Sequence, residues 1–133
     1  MKPLAVEEKI NRLSRFIQAN PAFANVPFMT VAGRPVTPTE ALTMLREGRN
    51  VSEIMTGLTR LGLDVPWELA EEFWRRVAAA RPEAPKIYAL AEYVPAMTPA
   101  EAYEHIRARD AVGETLVRAY ARMLSFMAQR VNT

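Results

Sequence analysis

The chain contains no cysteine and a single histidine, His105. Disulfide frameworks, thiolate metal sites, thiol nucleophiles and Cys/His zinc sites are thereby excluded. Asp64 and Asp110 are the only aspartates, and no stretch has the acidic loop spacing of a calcium site. The five glycines, Gly33, Gly48, Gly57, Gly62 and Gly113, stand isolated, so no glycine-rich phosphate loop exists. There is no Gly-x-Ser-x-Gly elbow. No apolar run approaches the roughly 20 residues that cross a bilayer. The first residues turn acidic at Glu7-Glu8, where a signal peptide needs its apolar stretch, so no secretory signal is expected.

What is present is a globular composition: 133 residues, half of them hydrophobic and 24% charged, enough for one domain-sized core. The absence of cysteine, with abundant Ala, Arg, Glu and Pro, is compatible with a thermophilic source. The net charge of +2 is unevenly spread. Residues 1–49 carry seven bases and four acids, residues 50–85 four bases and six acids, and residues 115–133 three arginines and no acid. Two basic ends flanking an acidic middle suit contact with a polyanion, and ordinary scatter of surface charge produces the same sums.

Helix starts are marked clearly. Thr37-Pro38-Thr39-Glu40 and Thr98-Pro99-Ala100-Glu101 each place a capping Thr before Pro and a Glu three residues later, the signature of a capping box. Asn50-Val51-Ser52-Glu53 reads as a third box with Asn as cap. Six helical segments follow, over about 5–19, 38–47, 51–61, 66–80, 85–94 and 99–130. Val6, Ile10, Leu13 and Ile17 line the first, and Leu69, Phe73 and Val77 the fourth. Glu71/Arg75 and Glu72/Arg76 are i,i+4 pairs on the fourth.

The fold class is therefore all-α: a helical bundle over 37–133, preceded over 1–36 by a basic helix and a Pro-rich extended arm. In the arm, 28–31 and 34–37 can pair as a small hairpin around Gly33. It either packs on its own domain or lies on a neighbouring subunit. Long structureless loops are uncommon inside compact domains, which favours the neighbour. The last helix carries Tyr103, Ile106, Asp110, Gly113, Val117, Tyr120, Leu124, Met127 and Val131 at heptad positions. As one rod of about 32 residues it spans roughly 48 Å, against a radius of gyration of about 14 Å for a compact chain of this length. It must break near Asp110–Gly113 or project toward a partner, and the apolar run to the chain's end favours projection. Phe23, Phe28, Val117, Tyr120, Leu124 and Met127 are the expected subunit-interface residues.

Catalysis finds little support. His105 and nearby Glu101 read as surface residues of a helix rather than a base and its orienter. Glu68, Glu71 and Glu72 read as a solvated face rather than metal ligands, because arginines accompany them. No catalytic residue, metal or cofactor is expected. Contact with nucleic acid is the best surviving class. Lys9, Arg12 and Arg15 form a ridge on the first helix, and Arg107, Arg118 and Arg122 lie along nearly one side of the last. Such ridges neutralise phosphates without reading bases. Solvated faces carrying Glu8/Arg12 and Glu114/Arg118 pairs fit the same spacing. Residues 41–54, Ala-Leu-Thr-Met-Leu-Arg-Glu-Gly-Arg-Asn-Val-Ser-Glu-Ile, resemble the first half of the helix-turn-helix of recombinases and small transcription factors. The next helix, however, opens with Trp67-Glu68-Leu69-Ala70-Glu71-Glu72, whose carboxylates repel phosphates at the base-reading end.

In length, helix order and composition the whole chain resembles the major coat proteins of rod-shaped and filamentous archaeal viruses. The resemblance implies a non-enzymatic structural protein that wraps double-stranded DNA. It implies pairing with a copy or a paralogous subunit, filament assembly, and residence in a virion or host cytoplasm with no membrane span. Lys9, Arg12 and Arg15 would then face the DNA, with Arg118 and Arg122 as second contacts. A small helical adaptor or assembly chaperone that binds only protein, and a helix-turn-helix regulator, are the alternatives.

Overall fold

The computed structural model describes residues 4–81 and 97–132. Within them the fold is all-α apart from one hairpin. The order is α1 (Leu4–Ala19), a 3-10 turn (Pro21–Phe23), β1 (Met29–Val31), β2 (Arg34–Val36), α2 (Pro38–Glu47), α3 (Val51–Thr59), α4 (Trp67–Ala80), α5 (Pro99–Ala108) and α6 (Ala111–Asn132). The short helix expected over 85–94 lies outside the described residues. Among the described residues no helix is long and apolar enough to cross a membrane.

The chain forms two compact units, Met1–Asp64 with Leu124–Thr133, and Val65–Met123. The expected boundary at residue 36 is absent because α1 packs on α2, and β1 packs on α3. Residues on both sides of position 36 thus share a core.

In the first unit α1 buries Val6, Ile10, Leu13 and Phe16. Phe16 takes the place expected for Ile17, which is half-buried. The Pro-rich stretch is a packed element of this unit, not an arm laid on a neighbour. Phe23 stacks on Phe16 at 6.2 Å and meets Phe126 at 5.9 Å. Phe28, Met29 and Val31 are at most 5% exposed. The strands pair antiparallel with Met29 opposite Val36 and Val31 opposite Arg34. Ala32 and Gly33 both have positive φ, 52° and 77°, the backbone of a two-residue turn matched to strand twist.

The Thr37 box forms as read. Thr37 Oγ1 accepts from Glu40 N–H at 3.2 Å, and the Glu40 carboxylate accepts from Thr37 N–H at 3.1 Å. Gly48 ends α2 in the left-handed region at φ 73°, where glycine carries no Cβ penalty. The third box does not form. Asn50 is itself left-handed and its side chain caps nothing. Glu53 instead accepts the Ala32 N–H at 3.1 and 3.2 Å. Leu58, Ile54 and Leu61 are buried, and the chain then turns at Gly62.

In the second unit α4 packs on α5. α4 is rotated from the expected register: Ala70 and Trp74 are buried, while Leu69, Phe73 and Val77 are half-buried. Phe73 meets Trp74 edge-on at 5.1 Å and Tyr120 at 5.5 Å. The Thr98 box on α5 repeats the first, with bonds of 3.2 and 3.1 Å.

The expected long C-terminal rod is broken. Arg109 adopts φ 53° and ends α5. Asp110 then caps α6, its Oδ1 accepting Gly113 N–H at 2.8 Å. A left-handed residue followed by an Asp cap stops one helix and starts another. The seam is not left for a partner either. Val117, Tyr120, Leu124, Met127 and Val131 are 0–4% exposed within the single chain. Of the six expected interface residues only Phe23 is even half-buried rather than buried, so these side chains already pack inside their own fold.

The α5–α6 corner is tight at Gly113. A Cβ there would fall on the His105 carbonyl, a backbone group that cannot swing aside. Gly113→Ala is therefore expected to destabilise the protein by about 1–3 kcal/mol, the range for overpacking, measured by urea unfolding. A stability equal to wild type would show that the corner opens freely.

Candidate nucleic-acid interface

Counted from the sequence, the first unit holds nine bases and six acids, +3, and the second eight bases and nine acids, −1. The two basic ends of the chain are not kept together: residues 1–49 and Arg130 belong to the first unit, while Arg118 and Arg122 of the stretch 115–133 belong to the second.

The carboxylates of the first unit are largely occupied. Glu8 pairs with Arg12 at 2.6 Å, Glu47 with Arg49 at 3.0 Å, and Asp64 with Arg60 at 3.1 Å. Glu40 and Glu53 hold backbone N–H groups of Thr37 and Ala32. Among the described residues, Lys9, Arg15, Arg34 and Arg130 have no carboxylate partner. Arg15 Nε reaches the Asn11 carbonyl at 3.4 Å and stays exposed. Arg130 stands 4.7 Å over the Phe126 ring. Arg34 projects from the hairpin, exposed.

Lys9 departs from its expected role. Its ammonium donates to Asn132 Oδ1 and lies 3.5 Å from the Val131 carbonyl, so it closes the C-terminal end of α6. Asn132 in turn donates to the Leu58 carbonyl at 2.7 Å. Burial, and then the neighbouring Arg12 charge, hold the Lys9 pKa below the usual lysine value. A cleft of about 230 Å³ beside it is lined by Ala5, Glu8, Lys9, Arg12, Met55 and Asn132. The ridge that α1 presents outward is thus Arg12, half-neutralised by Glu8, and Arg15.

The expected contacts of the second unit are mostly paired. Arg118 bonds Glu114 at 2.5 Å, and Arg107 lies 3.7 Å from Glu104 and 5.6 Å over the Tyr103 ring. Arg122 is exposed and has no ion-pair partner among the described residues. On α4 the two expected pairs collapse onto one carboxylate. Glu72 takes Arg75 at 2.7 Å and Arg76 at 3.1 Å, and the Arg75 hydrogen bond leads the forces that hold its pKa down. The stretch 41–54, resembling the first half of a helix-turn-helix, lies on α2 and α3 in the first unit, and α4, the helix that would read bases, falls in the second.

His105 Nδ1 lies 2.6 Å from Asp110 Oδ2. The other oxygen of Asp110 is the α6 cap, so this carboxylate holds a helix corner rather than orienting a base toward a substrate. Among the described residues no group of three His, Asp or Glu side chains is placed to hold a metal ion. Compared with protein-family models, curated proteins and solved structures, the chain matches none.

Arg34, Arg130 and the brace from Glu53 escaped the sequence reading. The signal for Arg34 was its place beside Gly33 in a candidate hairpin turn. For Glu53 the local pattern pointed to the wrong partner.

The Asp110 carboxyl is held below its ordinary value of 3.8 by the Gly113 N–H first and the His105 hydrogen bond second. A depressed carboxyl stabilises the folded state above its unfolded pKa and loses that contribution as pH falls through the folded value. Asp110→Ala is therefore expected to melt below wild type at neutral pH, with the gap closing below about pH 4. Thermal melts followed by circular dichroism across pH measure this. A gap that persists undiminished at pH 2 would rule the carboxylate out as its origin.

Proposed function

We propose that this chain is a non-enzymatic, structural protein that binds double-stranded DNA without regard to sequence, through its first unit. One observation carries the reading. The folded chain uses five of that unit's six carboxylates internally, on bases or backbone N–H groups, while Arg15, Arg34 and Arg130 have no carboxylate partner among the described residues. A helical surface with residual positive charge along α1 suits a phosphate backbone. The coat-protein type of function, with many copies along one duplex, fits such binding. Any filament would use surfaces other than the 117–131 seam, which its own chain covers.

A second reading, a helical adaptor for another protein, is favoured by Leu63 and Val65, which are 70% and 67% exposed. Isolated exposed apolar residues are common, so this stands behind the first. Light scattering with and without duplex separates them, since an adaptor is indifferent to DNA.

Binding to mixed-sequence duplex is expected to weaken with salt, log affinity falling by about 0.9 per neutralised phosphate for each unit of log salt. The double variant Arg12→Glu, Arg15→Glu takes the first unit from +3 by four charges to −1. It is expected to lose binding altogether in a gel-shift or fluorescence-anisotropy titration. Affinity equal to wild type would sink the assignment.

A further inference from the structure

The β1–β2 hairpin tip is held with unusual firmness for so small an element. Ala32 sits at φ 52°, in the left-handed region that a residue with a Cβ disfavours. Its N–H is gripped by both oxygens of Glu53, twenty-one residues further along the chain, at 3.1 and 3.2 Å. Below the tip, Met29 and Val31 are buried, and Met29 packs against Gly57 of α3 with its sulfur 2.8 Å from where a Cβ at residue 57 would lie. The hairpin therefore has a fixed base and a fixed turn. Beside that turn stands Arg34, exposed and with no ion-pair partner among the described residues.

We infer that the hairpin is a pre-organised DNA-contact finger, with Arg34 as a phosphate-binding residue and Glu53 as the residue that positions it. The inference rests on the duplex-binding reading above and adds an element to it. A turn that is already ordered loses less freedom on binding than a loose one, so the same Arg–phosphate contact holds more tightly. Arginine suits the role because its planar fork meets phosphate oxygens bidentately and stays charged at any physiological pH. Glu53 contributes although it carries the charge that DNA repels. Its carboxylate faces the Ala32 N–H, where it fixes the turn.

That opposition of sign makes the test sharp. Binding of the full chain to a short mixed-sequence duplex is titrated by fluorescence anisotropy across salt, for wild type, Arg34→Ala, Glu53→Ala and Glu53→Gln. Arg34→Ala is expected to lower the slope of log affinity against log salt by about 0.9, the loss of one phosphate contact. Glu53→Ala removes a negative charge, so charge counting alone demands tighter binding. A positioning role demands weaker binding, by about three- to tenfold, at an unchanged slope. Glu53→Gln keeps an acceptor for the Ala32 N–H and is expected to bind at least as well as wild type. Circular dichroism melts confirm that each variant is folded, and Arg34→Ala removes no side-chain hydrogen bond or ion pair among the described residues. If wild type binds but Arg34→Ala keeps the full slope, or Glu53→Ala binds as tightly as wild type or tighter, the finger is overturned and duplex binding stands. If wild type does not bind duplex, both readings fall together.

Discussion

The apolar column on α6 is the constraint on which the rest depends. Val117, Tyr120, Leu124, Met127 and Val131 recur at the spacing of a helix seam, and all five are 0–4% exposed. Burying them at about 25 cal/mol per Å² of apolar surface makes this column one of the largest sources of stability in a chain of this size. A seam covered from within offers nothing to a second subunit. The break at Arg109 follows the same logic: an unbroken rod of 32 residues would outrun a compact chain, and a left-handed residue followed by an Asp cap ends it.

Electrostatics in the first unit are organised around backbone needs as much as around ion pairs. Glu40 and Glu53 satisfy N–H groups, and Lys9 satisfies the end of α6. Exposed ion pairs such as Arg12–Glu8 and Arg60–Asp64 contribute little to stability individually. Each such pair cancels one charge of either sign, so the +3 of the first unit rests on its remaining bases, the feature on which the proposed duplex binding is built.

Much of the helical layout was legible locally. Thr37 and Thr98, each followed by Pro and by Glu at the third position, cap their helices as written, and Gly48 stops α2 where it stands. These devices act over three or four residues, so the local sequence contains both partners. Asn50 and Glu53 show the limit of that logic. The same spacing was present, but Ala32 N–H, distant in the chain, competed for the carboxylate and won. Lys9 is the clearest case in the candidate site. Read alone it belongs to a basic ridge, yet its partner Asn132 is 123 residues away.

By itself the sequence determined the all-α class, the helix starts and the exclusion of thiol, paired-histidine and phosphate-loop chemistry, because those depend on which residues exist and on their immediate neighbours. Only the tertiary structure decided that the Pro-rich stretch is part of a core and that the long heptad pattern is two helices. It alone decided that, among the described residues, Arg15, Arg34 and Arg130 have no carboxylate partner while Lys9 is engaged by Asn132. The physical reason is the same in each case. Burial and charge pairing are settled by whichever group arrives in space, and chain distance carries no information about that.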